Sequence, residues 1–327
     1  MAALQQLTII VPCYNEQEVL PESSKELLAV VRQLIDAHLI AATSRLLFVD
    51  DGSHDRTWSI IQDLEATDPI YTGIKFSRNC GHQNALMAGM TIAYPVSDMI
   101  ITIDADLQDD VQAIPKMVQQ HLAGFDVVYG VRSSRDTDTF FKRDTALAFY
   151  NLMRHLGVDM VPNHADYRLL SKRALGALLS FRERNMFLRG IVPLVGYPAT
   201  KVYYARKPRY AGTSKYPLKK MLAFALDGIT SFSIIPIRMI LNLGILSVVG
   251  AIIVIVYSLI QNFRGNVIPG WTSLMTSIWF ISGVQLIAIS IIGEYIGKIF
   301  TEVKHRPRYI IQEDDFTSKV GQSKSLD

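Results

Sequence analysis

The chain is poor in cysteine, since only Cys13 and Cys80 occur among its 327 residues. Two cysteines do not make a disulfide framework, and reduced thiols on the cytosolic side are the default expectation. The first six residues show no basic stretch followed by an apolar run, so we expect no cleaved signal peptide. The net charge of +3 is mild and argues against general nucleic-acid binding.

Two common nucleotide-binding motifs are also absent. No Gly-x-Gly-x-x-Gly follows the first apolar run, and no Gly-Lys-Ser/Thr loop occurs anywhere in the chain. These absences argue against a dinucleotide-dependent dehydrogenase and against a P-loop enzyme. A bound diphosphate would have to be neutralised in another way, which favours a metal ion.

Charge is scarce near the C-terminus, where residues 240–297 carry only Arg264 and Glu294. Within this region, residues 240–260 and 271–292 are each long enough to cross a bilayer as a helix. Basic residues flank the pair on its outer sides, which places both chain ends in the cytoplasm; they are Lys219, Lys220, Arg238, Lys298, Lys304, Arg306 and Arg308. The alternative is a buried helical hairpin of a soluble protein.

The preceding segment, residues 211–238, has a different pattern. Apolar residues recur there at helical spacing, with Lys219 and Lys220 between them. This pattern is typical of a helix in the membrane interface, although a helix packed on a globular domain has the same pattern. The expected organisation is a globular domain over 1–210, this juxtamembrane segment, a transmembrane hairpin over 239–298 and a tail over 299–327. Residues 314–327 are polar and predicted to be mobile.

Within the first 210 residues, strand-like apolar runs alternate with helix-like segments. The predicted strands are 7–11, 45–49, 71–76, 99–103 and 126–129, and the predicted helices are 18–38, 56–65, 82–94 and 111–122. Repeated strand-helix units predict an α/β fold with a parallel sheet covered by helices on both faces. Ligands bind such sheets beyond the carboxyl ends of the strands.

Asp104 and Asp106 stand where the fourth apolar run ends. Two carboxylates one residue apart at the end of a buried strand can hold a hard divalent cation, which in turn can hold a diphosphate. They can equally cap the helix that begins near Val111. Asp109 and Asp110 are better placed for that capping, so we interpret those two as structural. Asp50 and Asp51 are likewise compatible with a simple turn.

Three motifs together identify the chain as a member of a known family. Val11-Pro12-Cys13-Tyr14-Asn15-Glu16, Val49-Asp50-Asp51-Gly52-Ser53 and Asp104-Ala105-Asp106-Leu107-Gln108 resemble the signatures of family 2 glycosyltransferases with the GT-A fold. Further segments resemble the polyprenyl-phosphate glycosyltransferases, above all the bacterial bactoprenol (undecaprenyl-phosphate) glucosyltransferases; they include Glu183-Arg184-Asn185, residues 228–233, Gly293-Glu294-Tyr295 and Arg306-Pro307-Arg308-Tyr309. The resemblance implies a Rossmann-like, mostly parallel sheet.

The resemblance also implies roles for residues in these loops. Pro12, Tyr14 and Glu16 would line the nucleoside pocket, and Asp51 would contact the base while Asp50 supports its loop. Asp104 and Asp106 would serve the ribose and an Mg²⁺ or Mn²⁺ ion, with Asp106 as the direct ligand and Gln108 in the metal environment. His82 begins a predicted helix, and both a solvent-facing cap and a donor contact fit it.

The implied reaction moves a hexose from a nucleotide sugar to polyprenyl phosphate at the bacterial inner membrane. Both substrates are anionic, so cations must offset their repulsion. By resemblance Arg132, Arg143 and Lys215 are the principal candidates, with Lys142 and Arg209 beside them. Asp166 matches an acidic residue of a Gly-Asp-Phe-Arg stretch, although Ala165 replaces the glycine and Tyr167 the phenylalanine. It would hold a sugar hydroxyl or orient the attack, or else pair with Arg168 or another basic residue.

Several alternatives remain open on the sequence alone. The donor is expected to be UDP-glucose, but GDP-mannose or a UDP-linked amino-arabinose derivative would use the same loops. A processive polysaccharide synthase is disfavoured because none of Trp58, Trp271 and Trp279 lies in a Gln-x-x-Arg-Trp segment. A non-catalytic membrane scaffold is disfavoured by the complete set of carboxylates. We expect a homo-oligomer to be compatible with this organisation, and product flipping to need another protein.

Overall fold

The structure is a computed structural model that describes residues 4–133, 164–183, 188–205 and 270–324, together with the single positions 240, 242, 246 and 253. The chain divides into two compact units. The first contains the N-terminal part of the chain and residues 306–327, and the second contains residues 218–305 and a short stretch at 152–158. The expected juxtamembrane segment, 211–238, lies outside the described residues.

The first unit is built on a sheet whose centre consists of four parallel strands. These strands are β1 (Leu7–Cys13), β2 (Arg45–Asp50), β3 (Tyr71–Phe76) and β4 (Met99–Thr102). They are almost entirely buried, as expected for a parallel sheet with helices on both faces. The α/β, mostly parallel fold predicted from the sequence is therefore confirmed.

Four helices connect and cover these strands. They are α1 (Leu20–Asp36), α2 (Thr57–Thr67), α3 (His82–Ala93) and α4 (Ala113–Leu122). In α3, a Cβ atom added to Gly89 would lie 2.4 Å from Cγ2 of Ile10, so only glycine lets this helix approach β1 so closely. All four agree with the predicted helices within a few residues at each end.

The sheet continues beyond β4 with one further predicted strand, at 126–129, and with two strands that the hydropathy pattern did not indicate. After β5 (Val127–Arg132) come β6 (His164–Ser171), α5 (Lys172–Ser180), α6 (Leu188–Leu194) and β7 (Ala199–Tyr204). β6 lies between β4 and β5 and runs antiparallel to both, while β7 is parallel to β5 at one edge. With β8 (Ile311–Asp314) at the other edge, the strand order is β7-β5-β6-β4-β1-β2-β3-β8.

The second unit contains one long described helix, α7 (Trp271–Val303), of 33 residues. At 1.5 Å per residue it is about 50 Å long, which exceeds the ~30 Å of a bilayer core. Its stretch Val284–Val303 is long and apolar enough to cross a membrane by length and composition. The predicted second span, 271–292, lies within α7. The predicted first span, 240–260, lies outside the described residues except at four positions.

The C-terminal segment (residues 306–324) returns to the sheet, which corrects the expectation of a mobile tail. Its strand β8 (Ile311–Asp314) pairs antiparallel with β3, and α8 (Asp315–Lys324) follows. Phe316 is 1% exposed, and the Trp58 indole N–H donates to Glu313 Oε2 at 3.2 Å. One buried aromatic ring and pairing to a strand edge suffice to order a polar sequence, because the sheet provides the backbone partners.

Candidate active site

The loops that follow β1 and β2 are joined by hydrogen bonds between backbone and side chains. Asn15 N–H donates to Ser53 Oγ at 2.9 Å, and His54 N–H donates to Asn15 Oδ1 at 2.9 Å. Glu16 N–H donates to Thr57 Oγ1 at 2.9 Å. Asn15 adopts a positive φ of 54°, which asparagine tolerates better than most residues. The two loops therefore form one rigid rim at the carboxyl end of the sheet.

Both carboxylate oxygens of Asp51 accept hydrogen bonds from the loop that follows β3. Cys80 N–H donates to Oδ1 at 2.6 Å and Gly81 N–H donates to Oδ2 at 2.8 Å. Burial raises the pKa of Asp51, although these two bonds act to lower it. A carboxylate has about four acceptor sites, so Asp51 can still accept a bond from a ligand. Asp50, which is buried, accepts from Ser53 N–H at 3.1 Å and so supports its loop.

Gly52 lets these two loops touch. It has a φ of +64°, and an added Cβ would lie 2.4 Å from the backbone carbon of Arg78. Any other residue would need a left-handed backbone and would push the loop at Arg78 away. The loop over residues 77–82 is thus seated directly on the Asp51 loop, and we call it the β3–α3 loop.

The loop after β4 presents alternate side chains to opposite sides. Asp104, Asp106 and Gln108 are partly exposed, whereas Ala105, Leu107 and Asp109 are buried. Leu107 adopts a φ of 56°, and Gln108 N–H donates to Asp106 Oδ1 at 3.1 Å. The three predicted metal-environment residues are therefore all partly accessible on this loop, and the buried side chains between them anchor it to the core.

His82, the first residue of α3, lies between two carboxylates. Its Nε2 is 3.5 Å from Asp104 Oδ1 and 3.8 Å from Asp166 Oδ2. Burial raises the pKa of Asp104 to about 6; His82 acts to lower it, and Asp109, Asp166 and Asp106 act to raise it. These two distances show that the ring of His82 faces the carboxylates, and its side chain stays 37% exposed.

Asp166, in β6, is held between two arginines. It accepts hydrogen bonds from Arg168 and from Arg189, whose Nη2 is 3.1 Å from Oδ2. Burial acts to raise the pKa of Asp166, but the two guanidinium groups and His82 outweigh it and hold the pKa well below its usual range. Of the alternatives left open for Asp166, pairing with Arg168 is the one that the structure contains. Arg168 is almost fully buried, whereas the Arg189 side chain is 34% exposed.

Arg132 at the end of β5 is oriented by Asp109. The guanidinium Nη2 is 3.2 Å from Asp109 Oδ1, which also accepts from the Tyr204 hydroxyl at 2.6 Å. Burial acts to lower the pKa of Arg132, but Asp109 and Tyr204 raise it overall. The expectation that Asp109 caps a helix is therefore wrong, because its carboxylate is buried against Arg132 instead. Asp110 does serve the turn before α4, since its Oδ1 accepts from Gln112 N–H at 3.2 Å.

The two departures from the family pattern near Asp166 are accommodated locally. Tyr167 is fully buried, and its hydroxyl donates to the Asp110 carbonyl at 3.1 Å, a bond that phenylalanine lacks. Ala165 lies within β6 and is not among the described residues with positive φ. An extended backbone does not require glycine there.

The remaining predicted residues divide into described and undescribed ones. Pro12 is buried in β1 opposite Val49, and Tyr14 and Glu16 are partly exposed in the loop that follows. The predicted acceptor cations Arg143 and Lys215, like Lys142 and Arg209, lie outside the described residues. The structure thus brings together His82, Asp104 and Asp166, while Asp51 is joined to the β3–α3 loop.

Arg189 belongs to this cluster but was not predicted. It is the second residue of α6, and no motif drew attention to it. A usable signal was present in the sequence, since Arg189 interrupts the apolar run 186–194. A charged residue in such a run usually has a partner. Tyr204, which orients Asp109, gave no signal beyond its place in an alternating strand.

A divalent cation fits this site only together with a ligand. Among residues 4–133, 164–183, 188–205 and 270–324, no group of three or more His, Cys, Asp or Glu side chains is placed to hold a metal. Mg²⁺, however, is usually bound by one or two carboxylates plus substrate phosphates and water. Asp104 and Asp106, both partly exposed on the loop after β4, supply that number of carboxylates.

Comparison with known proteins identifies similar glycosyltransferases. Residues 8–179 match the model of the family described as glycosyl transferase family 2. The chain is 51% identical over 315 residues to the uncharacterized glycosyltransferase YkoT of Bacillus subtilis, covering 96% of this chain and 94% of that protein. It is 38% identical over 310 residues to the bactoprenol glucosyl transferase of Shigella phage SfV, covering 94% and 98%. It is also 38% identical over 308 residues to a prophage bactoprenol glucosyl transferase homolog of Escherichia coli K12, covering 94% and 98%.

Proposed function

The chain belongs to glycosyl transferase family 2, and we propose that it transfers glucose from UDP-glucose to polyprenyl (undecaprenyl) phosphate. The family expected from the motifs is confirmed by the match over residues 8–179. The lipid acceptor and the sugar are supported by relatives named as bactoprenol glucosyl transferases, which align over 94% of this chain. Direct displacement at the anomeric carbon would convert an α-linked donor into a β-linked lipid phosphate sugar.

The observation that carries the proposal is the cluster of ionisable side chains where the carboxyl end of β4 meets the amino end of β6. His82 lies within 4 Å of both Asp104 and Asp166, and Arg189 contacts Asp166 from the other side of the cluster. Carboxylates proposed to bind the sugar and the metal lie there close to basic side chains that can compensate phosphate charge. A transfer between two anionic substrates needs both kinds of group close together.

We assign the metal environment to Asp106, Asp104 and Gln108, with Mg²⁺ or Mn²⁺ as the ion. When bound, the ion supplies positive charge that stabilises the leaving diphosphate. Pro12, Tyr14, Glu16 and Asp51 are assigned to the nucleoside. The rim formed by the loops after β1 and β2 keeps these residues in place before the donor binds, which reduces the entropy that binding must overcome.

Asp166 acts as a positioning residue rather than as a base. Its carboxylate is shared by Arg168 and Arg189 and stays ionised, so its affinity for a proton is low. The acceptor is a phosphate that is already ionised near neutral pH and therefore needs no base. What it needs is charge compensation, which we assign to Arg132, Arg143 and Lys215.

We propose a membrane location with both chain ends in the cytoplasm of a bacterial cell. The supporting observation is the apolar stretch Val284–Val303 in α7, together with the basic residues outside the two apolar runs. The juxtamembrane residues 211–238 would then present Lys215 at the level of the lipid phosphate. A homo-oligomer is compatible with this arrangement.

The test is a transfer assay with purified full-length protein, undecaprenyl phosphate and separate radiolabelled UDP- and GDP-sugars. The expected result is metal-dependent labelling of lipid from UDP-glucose with release of UDP. If the lipid is labelled from GDP-mannose, or from a UDP-linked amino-arabinose derivative, the proposed donor is wrong but the proposed type of reaction is retained. Nucleotide binding without any transfer would identify a scaffold and refute the proposed enzyme.

A further inference from the structure

The C-terminal segment contacts the outer side of the β3–α3 loop. Tyr309 stacks on Phe76, the last residue of β3, with ring centroids 5.0 Å apart and planes inclined by 1°. Ser77 N–H donates to the Ile310 carbonyl at 3.0 Å. The loop therefore has partners on this side at its first residue and at the aromatic ring just before it.

The inner side of the same loop contacts residues assigned above to the nucleotide. Cys80 and Gly81 donate their N–H groups to Asp51, and Gly52 packs against the backbone of Arg78 and Asn79. The loop ends at His82, whose ring faces Asp104 and Asp166. Asp51 and His82 are thus connected to residues 309 and 310 through one short stretch of chain.

We propose that Tyr309 and the Ile310 backbone are positioning residues for the donor site, acting through the β3–α3 loop. This inference rests on the proposed function, because it takes the Asp51 side of the loop as the nucleotide pocket. Without the C-terminal contacts the loop would be held from the Asp51 side only, and donor binding would have to order it. Residues 309 and 310 then support a donor site whose proposed nucleoside and metal residues lie between Pro12 and Gln108.

The C-terminal segment also has contacts with residues outside the β3–α3 loop. Arg308 donates to the Glu183 carbonyl, and Lys75 lies 3.8 Å from Glu313. Further along, Lys319 Nζ is 3.5 Å from Glu65 Oε2. These contacts supply a matched control, because a change at Lys319 loosens the same segment without touching the stacked rings.

The first measurement follows the loop without any substrate. Cys80 is partly exposed on the loop and Cys13 is buried, so Cys80 should dominate reaction of the full-length protein with a maleimide. We expect Tyr309→Ala to speed this reaction about tenfold, the factor that corresponds to 1.4 kcal/mol. Tyr309→Phe, which keeps the stacked ring, and Lys319→Ala should react as the wild type does. Cys80→Ser removes the signal and verifies its origin.

The second measurement is calorimetric binding of UDP, with Mn²⁺ present, to the wild type, Tyr309→Ala, Tyr309→Phe and Lys319→Ala. Tyr309→Ala should weaken UDP binding about tenfold and raise the KM for the donor while the KM for the lipid acceptor is unchanged. Unchanged Cys80 reactivity and UDP affinity in Tyr309→Ala would overturn the inference alone. So would an equal loss in Lys319→Ala, which would show a general effect of stability. A wild type that binds neither UDP nor GDP would overturn the proposed function together with the inference.

Discussion

Glu65 offers a test of the electrostatics that hold the C-terminal segment. This α2 side chain is 8% exposed, and its Oε2 is 3.5 Å from Lys319 Nζ. Oε1 is buried without a hydrogen-bond partner. Burial raises the pKa of Glu65 from 4.5 to about 7; Lys319 acts to lower it, and Asp315 acts to raise it. The protonated form is therefore favoured in the folded protein.

The magnitude follows from linkage between protonation and folding. Between pH 4.5 and about 7 the folded state holds a proton on Glu65 that the unfolded state has lost. Stability therefore falls as the pH rises through this window, by up to about 3 kcal/mol at 1.36 kcal/mol per pH unit. Glu65→Gln keeps the shape and removes the titration. Lys319 keeps acceptors in this variant, because it also donates to the Glu65 and Tyr71 carbonyls at 3.4 Å.

The assay is thermal unfolding of full-length protein in detergent between pH 5 and pH 8. Glu65→Gln should match the wild type at pH 5 and exceed it by several degrees in midpoint at pH 8. Asp63→Asn removes one carboxylate from an exposed position of the same helix, so it should follow the wild type at every pH. Parallel midpoints for the wild type and Glu65→Gln across this range would refute the assignment of the raised pKa to Glu65.

Three further predictions concern the site. Asp106→Ala should abolish glucosyl transfer at an unchanged unfolding midpoint, because it removes a proposed metal ligand from a partly exposed position; unchanged turnover would contradict that assignment. Lys215→Ala should raise the KM for polyprenyl phosphate more than the KM for the donor, and equal rises would place Lys215 outside the acceptor site. Asp166→Asn should lower stability by about 3 kcal/mol, since Arg168 loses its buried counter-ion. The dependence of kcat/KM on pH between 5 and 8 should keep its shape in Asp166→Asn, and loss of its acidic limb would indicate a base.

The strands that could be predicted are those whose burial is complete. β1 to β5 consist mainly of buried residues, so short apolar runs between helical segments identify them. β6 was not predicted because Asp166 and Arg168 interrupt its apolar sequence. The two side chains can be buried because they form an ion pair in the folded chain, which offsets the cost of desolvating their charges. β8 was not predicted because Gln312, Glu313 and Asp314 occupy an edge, where one side of the strand needs no apolar residue.

In the site, too, the residues that could be predicted are those marked by their neighbours in sequence, and those missed depend on contacts with distant residues. Asp104 and Asp106 could be predicted because strand end and carboxylates are neighbours in sequence. The role of Asp109 was misassigned because its partners, Arg132 and Tyr204, are 23 and 95 residues away. Arg189 was missed for a similar reason, since its contact with Asp166 spans 23 residues and no local pattern reports it.

Strand β8 also has a consequence for solubility. An uncovered β3 would offer unpaired backbone groups to any neighbouring copy, and proteins anchored to one membrane surface meet often and in similar orientations. β8 pairs with β3 and prevents this. The edge strand of the sheet is then β8 itself, which has only four residues and ends in two acidic side chains. A short edge strand and negative charge both disfavour edge-to-edge pairing of sheets between molecules. Removal of the last residues would therefore be expected to promote self-association as well as to change activity.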